Sequence, residues 1–239
     1  MNSLIEPRAP YRTVRYHAAL NAGHTLSVSG ARQETVEVLL RQSDIDSSCS
    51  AHAFATALLI LGVVKRNAVL QQAKRKHGVA AVLYRTLADS WFEGLHAKPF
   101  FDAIQSMTLP ILPRLCDISK KVDAFAVNAL LKGKLVLIAY TSERDGHSHW
   151  VLAVGVSGFQ IGKTWEVDTL FVLCSSSEPV PLASHNARLN CAQPTDFGKK
   201  TASTVWQFES MPYSSEPVRL TSAIALEPSE LHDNFDLHE

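Results

Sequence analysis

Apolar residues are distributed differently in the two halves of the chain. The first half contains CSAHAFATALLILGVV, which is apolar on nearly every side and predicts a helix buried through the middle of a domain. Two later segments, NAVLQQAKRKHG and VAAVLYRTLADSWFEGL, have the spacing of amphipathic helices, and VDAFAVNALLKG predicts another that ends at Gly133. The first half is therefore predicted to be mostly helical.

From Lys134 onward the apolar residues fall into short runs rich in Val, Leu, Ile and aromatic residues, separated by Gly, Ser and Pro. The runs are KLVLIAYTSE, HWVLAVGVSGF, TLFVLCSS, STVWQFE and VRLTSAIALEP. This composition and punctuation predict β-strands. Because the helices precede the strands instead of alternating with them, the pattern favours an α+β fold.

Three segments are predicted along the chain. Residues 1–40 form an N-terminal extension, in which HTLSVSG and ETVEVLL predict a short hairpin. Residues 41–228 form the main domain, and residues 229–239 form a polar, acidic tail. The whole length of 239 residues fits one domain of two lobes better than two independent domains.

Composition excludes several classes of partner. The chain has 23 Lys and Arg residues against 23 Asp and Glu residues, mixed along its length, so neither a nucleic acid nor a membrane surface is expected as a partner. The longest apolar stretch, Ala53 to Val64, is too short to cross a bilayer, and the N-terminus lacks a signal-peptide pattern. We therefore expect a cytoplasmic protein whose four cysteines are free thiols.

Cys49 begins the predicted buried helix and is the first candidate for chemistry. Unpaired backbone N–H groups and the helix dipole at a helix N-terminus favour a thiolate, which is the reactive form of cysteine. The preceding Ser47 and Ser48 are candidate N-cap residues, which supports a helix that begins here. The alternative is a small cysteine that packs in the core without reacting.

His149 lies where the polar loop SERDGHS enters the apolar run HWVLAVGV. A histidine at such an edge can reach a neighbouring thiol while its ring is partly shielded, and it can then accept the thiol proton and return it to a leaving group. The alternative is a surface histidine without a partner.

Together these motifs resemble papain-like cysteine peptidases, especially the bacterial C39-like peptidases that cleave leader peptides. RQSDIDSSCSAHAFATALLILG resembles their nucleophile region, HWVLAVGV their histidine-bearing strand, and TLFVLCSSSEP the strand that follows. The resemblance covers about residues 40–180. It implies a papain-like fold, in which a helical lobe carrying the nucleophile packs on an antiparallel β-sheet lobe, with Cys49 as nucleophile and His149 as base.

The resemblance also implies a role for Gln42 in the oxyanion hole, beside the backbone N–H of Cys49. Gln42 is one residue further from the cysteine than the family usually has it, and Ser43 stands at the family's position. A loop longer by one residue would absorb the difference. The alternative is a solvated loop amide.

The third position departs further from the family. Where the family has Asp or Asn to orient the histidine, the best-aligned residue is Cys174, and a thiol is a weak acceptor. Ser175, Asp168 and Asn186 are the alternatives, and Cys174 can also be a plain packing residue at a strand end. The site is then either oriented by another group or weakened.

Cys49, His52, His147 and His149 are residue types that can bind a metal, but no CxxC or HExxH spacing supports a metal site, and no metal or other cofactor is expected. The sequence thus predicts a cysteine-dependent hydrolase of a peptide or isopeptide bond, with a peptide or protein as substrate. The same residue pair would also serve an acyltransferase or a deamidase. An inactive domain that binds peptides is the alternative from another class, and the oligomeric state is left open.

Overall fold

The computed structural model describes residues 11–30, 34–43, 46–161, 164–191, 204–210 and 214–229. The helices are α1 (Cys49–Ile60), α2 (Arg66–Leu70), α3 (Val79–Leu87), α4 (Ser90–Glu93), α5 (Ala97–Ser106) and α6 (Ser119–Leu131). A 3-10 turn, Gln72–Lys74, follows α2. The strands are β1 (Tyr11–Tyr16), β2 (Leu20–Asn21), β3 (Ser27–Ser29), β4 (Thr35–Glu37), β5 (Ile111–Cys116), β6 (Leu135–Ser142), β7 (Ser148–Ile161), β8 (Thr164–Leu173), β9 (Ala187–Cys191), β10 (Val205–Ser210) and β11 (Ser214–Pro228).

Six antiparallel strands form a closed barrel. Hydrogen bonding runs from β7 to β6, β11, β10, β9 and β8, and β8 pairs again with β7 and closes the ring. β1 continues along β7 beyond the end of β6, and β5 pairs with the distal part of β11. A separate small sheet holds β2, β3 and β4.

The expected α+β papain-like fold, with a helical lobe packed on a β-sheet lobe, is wrong. The protein is mostly β and is built on a closed barrel, and helices make up 28 % of it. One physical reason is that the predicted helices in the first half are shorter than their apolar patterns. The segment NAVLQQAKRKHG yields α2 and the 3-10 turn, and the next segment breaks into α3 and α4. The other reason is that β1, β5 and β9 add strands to the sheet that the sequence did not indicate.

Curvature of the barrel depends on two glycines in the long strand β7. The pairing of β7 with β8 shifts register near Gly155 and again near Gly158, as a β-bulge does. A Cβ atom at Gly158 would lie 2.2 Å from the backbone oxygen of Glu166, and one at Gly155 would lie 2.6 Å from that of Arg15. Only glycine therefore allows β7 to approach both neighbouring strands.

Alternate residues of β6 face opposite sides, as the period of a strand requires. Leu135 and Leu137 point outward and pack with α1, whereas Val136 and Ile138 point into the barrel. Since both faces are covered, the strand is a nearly continuous apolar run without polar alternation. The barrel interior also packs against α6.

Several predicted elements are confirmed. The buried helix is α1, and all but one of its residues are buried. The helix predicted to end at Gly133 is α6. Gly133 has a φ of 77°, and the N–H groups of Gly133 and Lys134 donate to the carbonyls of Leu130 and Ala129, which is a Schellman motif.

The hairpin predicted near the N-terminus corresponds to β3 and β4, which pair antiparallel. β1, also from the predicted N-terminal extension, pairs with β7. Residues 230–239 of the predicted tail lie outside the described residues. Among the helices that the structure describes, none is long and apolar enough to cross a membrane.

Candidate active site

Cys49 is the first residue of α1, and a hydrogen-bonded turn fixes the chain just before it. The carboxylate of Asp46 accepts hydrogen bonds from the backbone N–H and hydroxyl groups of both Ser43 and Ser48. Ser48 precedes the helix as expected, but its side chain does not cap α1. Its hydroxyl is engaged with Asp46 and with Nδ1 of His52 instead.

Four strand ends meet at one rim of the barrel, where the site lies. β6 ends and β7 begins at this rim, β8 ends there and β11 begins there, because the strands are antiparallel. His149 is the second residue of β7, and Cys174 directly follows β8. Three side chains from α1, β7 and the end of β8 therefore converge: Cys49, His149 and Cys174.

The side chain of Cys49 interacts with the ring of His149. Burial raises the pKa of the Cys49 thiol, but the hydrogen bond with the His149 ring, the charge of that ring and the backbone N–H groups of Trp150 and Ser50 together lower the pKa below its ordinary value. The N–H of Trp150 lies 3.4 Å from Cys49 Sγ. Cys49 is 8 % exposed and His149 is 6 % exposed, so the pair is shielded from water.

Cys174 contacts the other side of the imidazole. His149 Nε2 lies 3.3 Å from Cys174 Sγ. Burial raises the pKa of Cys174, and hydrogen bonds from Ser177 and Ser176 only partly oppose the effect. Cys174 is therefore a neutral thiol beside the ring.

Asn186 fixes the turn that carries Cys174. Its Oδ1 accepts a hydrogen bond from the backbone N–H of Cys174 at 2.8 Å, and its Nδ2 donates to the carbonyls of Cys174 and Ser177 at 2.8 and 3.0 Å. Asn186 is buried and bonds to this backbone, not to the imidazole. It acts on His149 only through the position of Cys174.

Gln42 is hydrogen-bonded to Ser175, the residue that follows Cys174. Its backbone N–H donates to the carbonyl of Ser175 at 3.1 Å, and the Ser175 hydroxyl donates to Gln42 Oε1 at 2.7 Å. Gln42 thus lies next to the turn that contacts His149, and it is half-buried. Its bonding to Ser175 orients the side-chain amide.

The other candidates for the third position lie elsewhere or make other contacts. Asp168 pairs with Arg12 through two hydrogen bonds of 3.0 and 2.9 Å on an exposed part of β8. The Ser175 hydroxyl is used by Gln42. Of the candidates weighed from the sequence, Cys174 is the residue that contacts Nε2 of His149.

Tyr140 and Glu216 also lie at the site, although no sequence pattern identified them as candidate site residues. Tyr140 lies opposite His149 in the pairing of β6 with β7, with ring centroids 5.7 Å apart. Burial raises the pKa of Tyr140, and the acidic groups of Cys174, Glu216 and Cys49, which ionise at lower pH than this phenol, raise it further, so the phenol stays protonated. The register of β6 against β7 would have identified Tyr140, but the sequence does not specify that register.

A pocket of about 350 Å3 opens beside His149 at this rim. Its lining combines imidazole, thiol, aromatic, hydroxyl and carboxylate groups from Tyr140, His147, His149, Cys174, Ser176, Ser177, Phe208, Ser210, Ser214 and Glu216. A larger groove of about 700 Å3 lies beside the first turns of α1, where it is lined in part by Ala51, His52 and Ala55. The smaller pocket thus lies beside His149 and the larger groove beside α1, and Cys49 itself lines neither of them.

Over the described ranges, no three His, Cys, Asp or Glu side chains are grouped so that they could hold a metal ion. The described side chains at the rim are instead suited to proton transfer and nucleophilic attack. Comparison with known proteins found no family model that matches the chain and no curated protein that matches it.

Proposed function

We propose that the protein is a cysteine-dependent hydrolase of a peptide or isopeptide bond, with Cys49 as nucleophile and His149 as general base. The observation that carries the proposal is the position of Cys49 at the start of α1, with its Sγ 3.4 Å from the N–H of Trp150, the residue after His149. There the interaction with His149 lowers the pKa of the thiol despite its burial. A buried cysteine in an apolar setting ordinarily has a raised pKa and reacts slowly. A lowered pKa in a buried thiol is typical of a functional nucleophile.

The proposed reaction has two steps. His149 takes the thiol proton, Cys49 Sγ attacks the carbonyl carbon, and the tetrahedral intermediate collapses to a thioester as His149 protonates the departing amine. Water, deprotonated by His149, then attacks the thioester. The carboxylic acid product leaves and the thiol is restored, so no cofactor is required.

Charge on the tetrahedral oxygen needs hydrogen-bond donors that are already in place. The backbone N–H of Cys49 at the start of α1 is one proposed donor. The side-chain amide of Gln42 is the second, because Ser175 occupies Oε1 and leaves Nε2 as the group able to donate. This assignment gives Gln42 the role that the sequence suggested.

The histidine must keep one orientation through both steps. Cys174 contacts Nε2, which leaves Nδ1 for the proton exchange with Cys49. A neutral thiol stabilises the imidazolium less than a carboxylate does. The proposed enzyme is therefore slower than one with an acidic third group.

The test is the pH dependence of alkylation of Cys49 by iodoacetamide, followed residue by residue with mass spectrometry. We expect Cys49 to react well below the pH at which a free thiol, of pKa about 8.5, becomes reactive. His149→Ala should move the profile to higher pH, because the hydrogen bond and the ring charge are removed. Cys116, a half-buried thiol on β5, is the internal control in the same sample.

A profile for Cys49 that matches Cys116 and does not change in His149→Ala would contradict the proposal. Once a substrate is known, loss of turnover in Cys49→Ala with retained binding supports the hydrolase.

A peptide-binding domain without turnover is the second candidate function. The neutral Cys174 thiol beside Nε2 and the low exposure of Cys49 and His149 favour it. In that case Cys49→Ala would leave the biological effect of the protein unchanged. The alkylation profile separates the candidates, because a binding domain has no need of a thiolate.

A further inference from the structure

The pocket beside His149 is lined by a carboxylate that forms no ion pair with any residue that the structure describes. Glu216 lies on β11 directly opposite Phe208 of β10, and both side chains line the pocket. In the part of the chain that the structure describes, no Lys or Arg forms an ion pair with Glu216, whereas Glu143 on the same rim pairs with Arg219. Glu216 is half-buried and therefore less screened by solvent than a fully exposed carboxylate.

Two aromatic rings form another wall of the same pocket. Tyr140 and Phe208 lie with their ring centroids 5.0 Å apart, and both are buried except where they face the pocket. The face of an aromatic ring attracts a cation through its quadrupole. The Tyr140 hydroxyl has no hydrogen-bond partner among the described residues, although the side chain is 2 % exposed.

The Cys49–His149 pair and Cys174 add no net charge to the pocket. When Cys49 transfers its proton to His149, a thiolate and an imidazolium form together, so the pair adds no net charge. Cys174 is neutral, since burial raises its pKa. His147 lies beside Asp145, which accepts the backbone N–H of His147 at 2.9 Å. The unbalanced charge that remains in the lining is the negative charge of Glu216.

We propose that this pocket binds an organic cation, the ammonium or guanidinium group of the substrate, between the Glu216 carboxylate and the faces of Tyr140 and Phe208. The hydroxyl groups of Ser176, Ser177, Ser210 and Ser214 are additional acceptors for its N–H groups. The inference rests on the proposed function and narrows its substrate to one with a positive group next to the scissile bond. A volume of about 350 Å3 is within the range of small-ligand pockets.

The experiment compares three thiol reagents of similar size that differ in charge: the neutral methyl, the cationic aminoethyl and the anionic sulfonatoethyl methanethiosulfonates. In each reaction the Cys49 thiolate attacks the sulfenyl sulfur, forms a mixed disulfide and releases methanesulfinate. Rate constants for Cys49 are divided by that of the neutral reagent, which removes any change in thiolate fraction. We expect wild-type protein to prefer the cation over the anion by roughly tenfold.

Glu216→Gln should reduce that preference severalfold. The matched control is Glu209→Gln, which removes the same charge from β10, where Glu209 faces a different pocket. The control should keep the wild-type preference. Ser210→Lys, at a half-buried position of the pocket, should reverse it, and this variant keeps the test valid if Glu216→Gln folds poorly.

Two further arms identify the source of the cation. If N-acetyl-lysine N-methylamide protects Cys49 from iodoacetamide and butylamine does not, the bound cation is a side chain of a peptide. If both compounds protect Cys49 equally, the bound cation is a free amine, which would be the acyl acceptor or the product of the proposed reaction.

Equal rates for cationic and anionic reagents, or a preference that survives Glu216→Gln and Ser210→Lys, would overturn the inference alone. If Cys49 reacts with the neutral reagent no faster than Cys116, the proposed function itself fails. The charged reagents therefore test the cation pocket, and the neutral reagent tests the proposed function.

Discussion

Single side chains at this rim differ in how directly they act. In the proposed reaction Cys49 and His149 exchange a proton, whereas Asn186 holds a turn. Its three hydrogen bonds serve the backbone of Cys174 and Ser177, so the position of the thiol beside Nε2 depends on a residue that touches neither reacting group. Removing such a residue should affect stability first and catalysis as a consequence.

We expect Asn186→Ala to lower the free energy of unfolding by about 2–4 kcal/mol, because buried backbone groups lose their partners. Unfolding in urea, followed by far-ultraviolet circular dichroism, measures the change. Asn128→Ala, at an exposed position of α6, is the control and should alter stability by less than about 0.5 kcal/mol. A loss below about 1 kcal/mol in Asn186→Ala would show that water replaces the amide.

The reacting pair was accessible to sequence reasoning, but its surroundings were not. Cys49 lies at the start of a predicted helix, and His149 lies where a polar loop enters an apolar strand. Both positions can be recognised from the local sequence pattern. Tyr140 and Glu216 are ordinary strand residues in the sequence, and only the register of β6, β10 and β11 brings them to the pocket. No local pattern encodes that register.

Among the elements, α1 depends on the turn before it. Burial raises the pKa of Asp46, but hydrogen bonds from Ser48 and Ser43 outweigh it and lower the pKa from 3.8 to about 2. A lowered carboxyl pKa adds stability that is present above the ordinary pKa and is lost as pH falls through the folded-state value. The contribution of Asp46 should therefore disappear between about pH 4 and pH 2.

Asp46→Asn should accordingly be less stable than wild type at pH 7, and the difference should shrink as the pH falls from about 4 to about 2. Thermal unfolding at a series of pH values measures it. The control is Asp102→Asn on α5, which removes an exposed carboxylate paired with Lys98 and should cost little. A difference between wild type and Asp46→Asn that is constant down to pH 2 would contradict the prediction.

The strands were easier to predict than the way they join. Apolar runs identified β6, β7, β8, β10 and β11, since strands buried on both faces have few polar residues. β9, with the sequence ARLNC, has too few apolar residues to stand out. Without it, nothing in the sequence indicates that a strand lies between β8 and β10, and the sequence therefore predicts an antiparallel β-sheet lobe and not a closed barrel.

In the molecule as a whole, β7 is the central strand. It pairs with β6 and then β1 along one edge, and with β8 along the other, so it has neighbouring strands on both sides from Leu152 to Gln160. The small sheet of β2, β3 and β4 has only short pairings. Stability should therefore be distributed unevenly over the molecule.

Hydrogen exchange read by mass spectrometry should show this distribution. Amides of Val151 to Val154 should exchange last, at the rate set by global unfolding, because they are buried and bonded within the barrel. Amides of β3 and β4 should exchange earlier by local opening. Equal protection of the two sheets would show that they open as one cooperative unit.

Closure of the barrel also has a consequence during synthesis. Cys49 leaves the ribosome long before His149 and Cys174, and the three meet only after strands distant in the chain have paired, which is a slow event for contacts of high sequence separation. Until then Cys49 has the ordinary pKa of a free thiol, about 8.5. Under the proposed function, a nascent or misfolded chain thus carries no activated nucleophile, and only molecules that have finished folding can carry out the reaction.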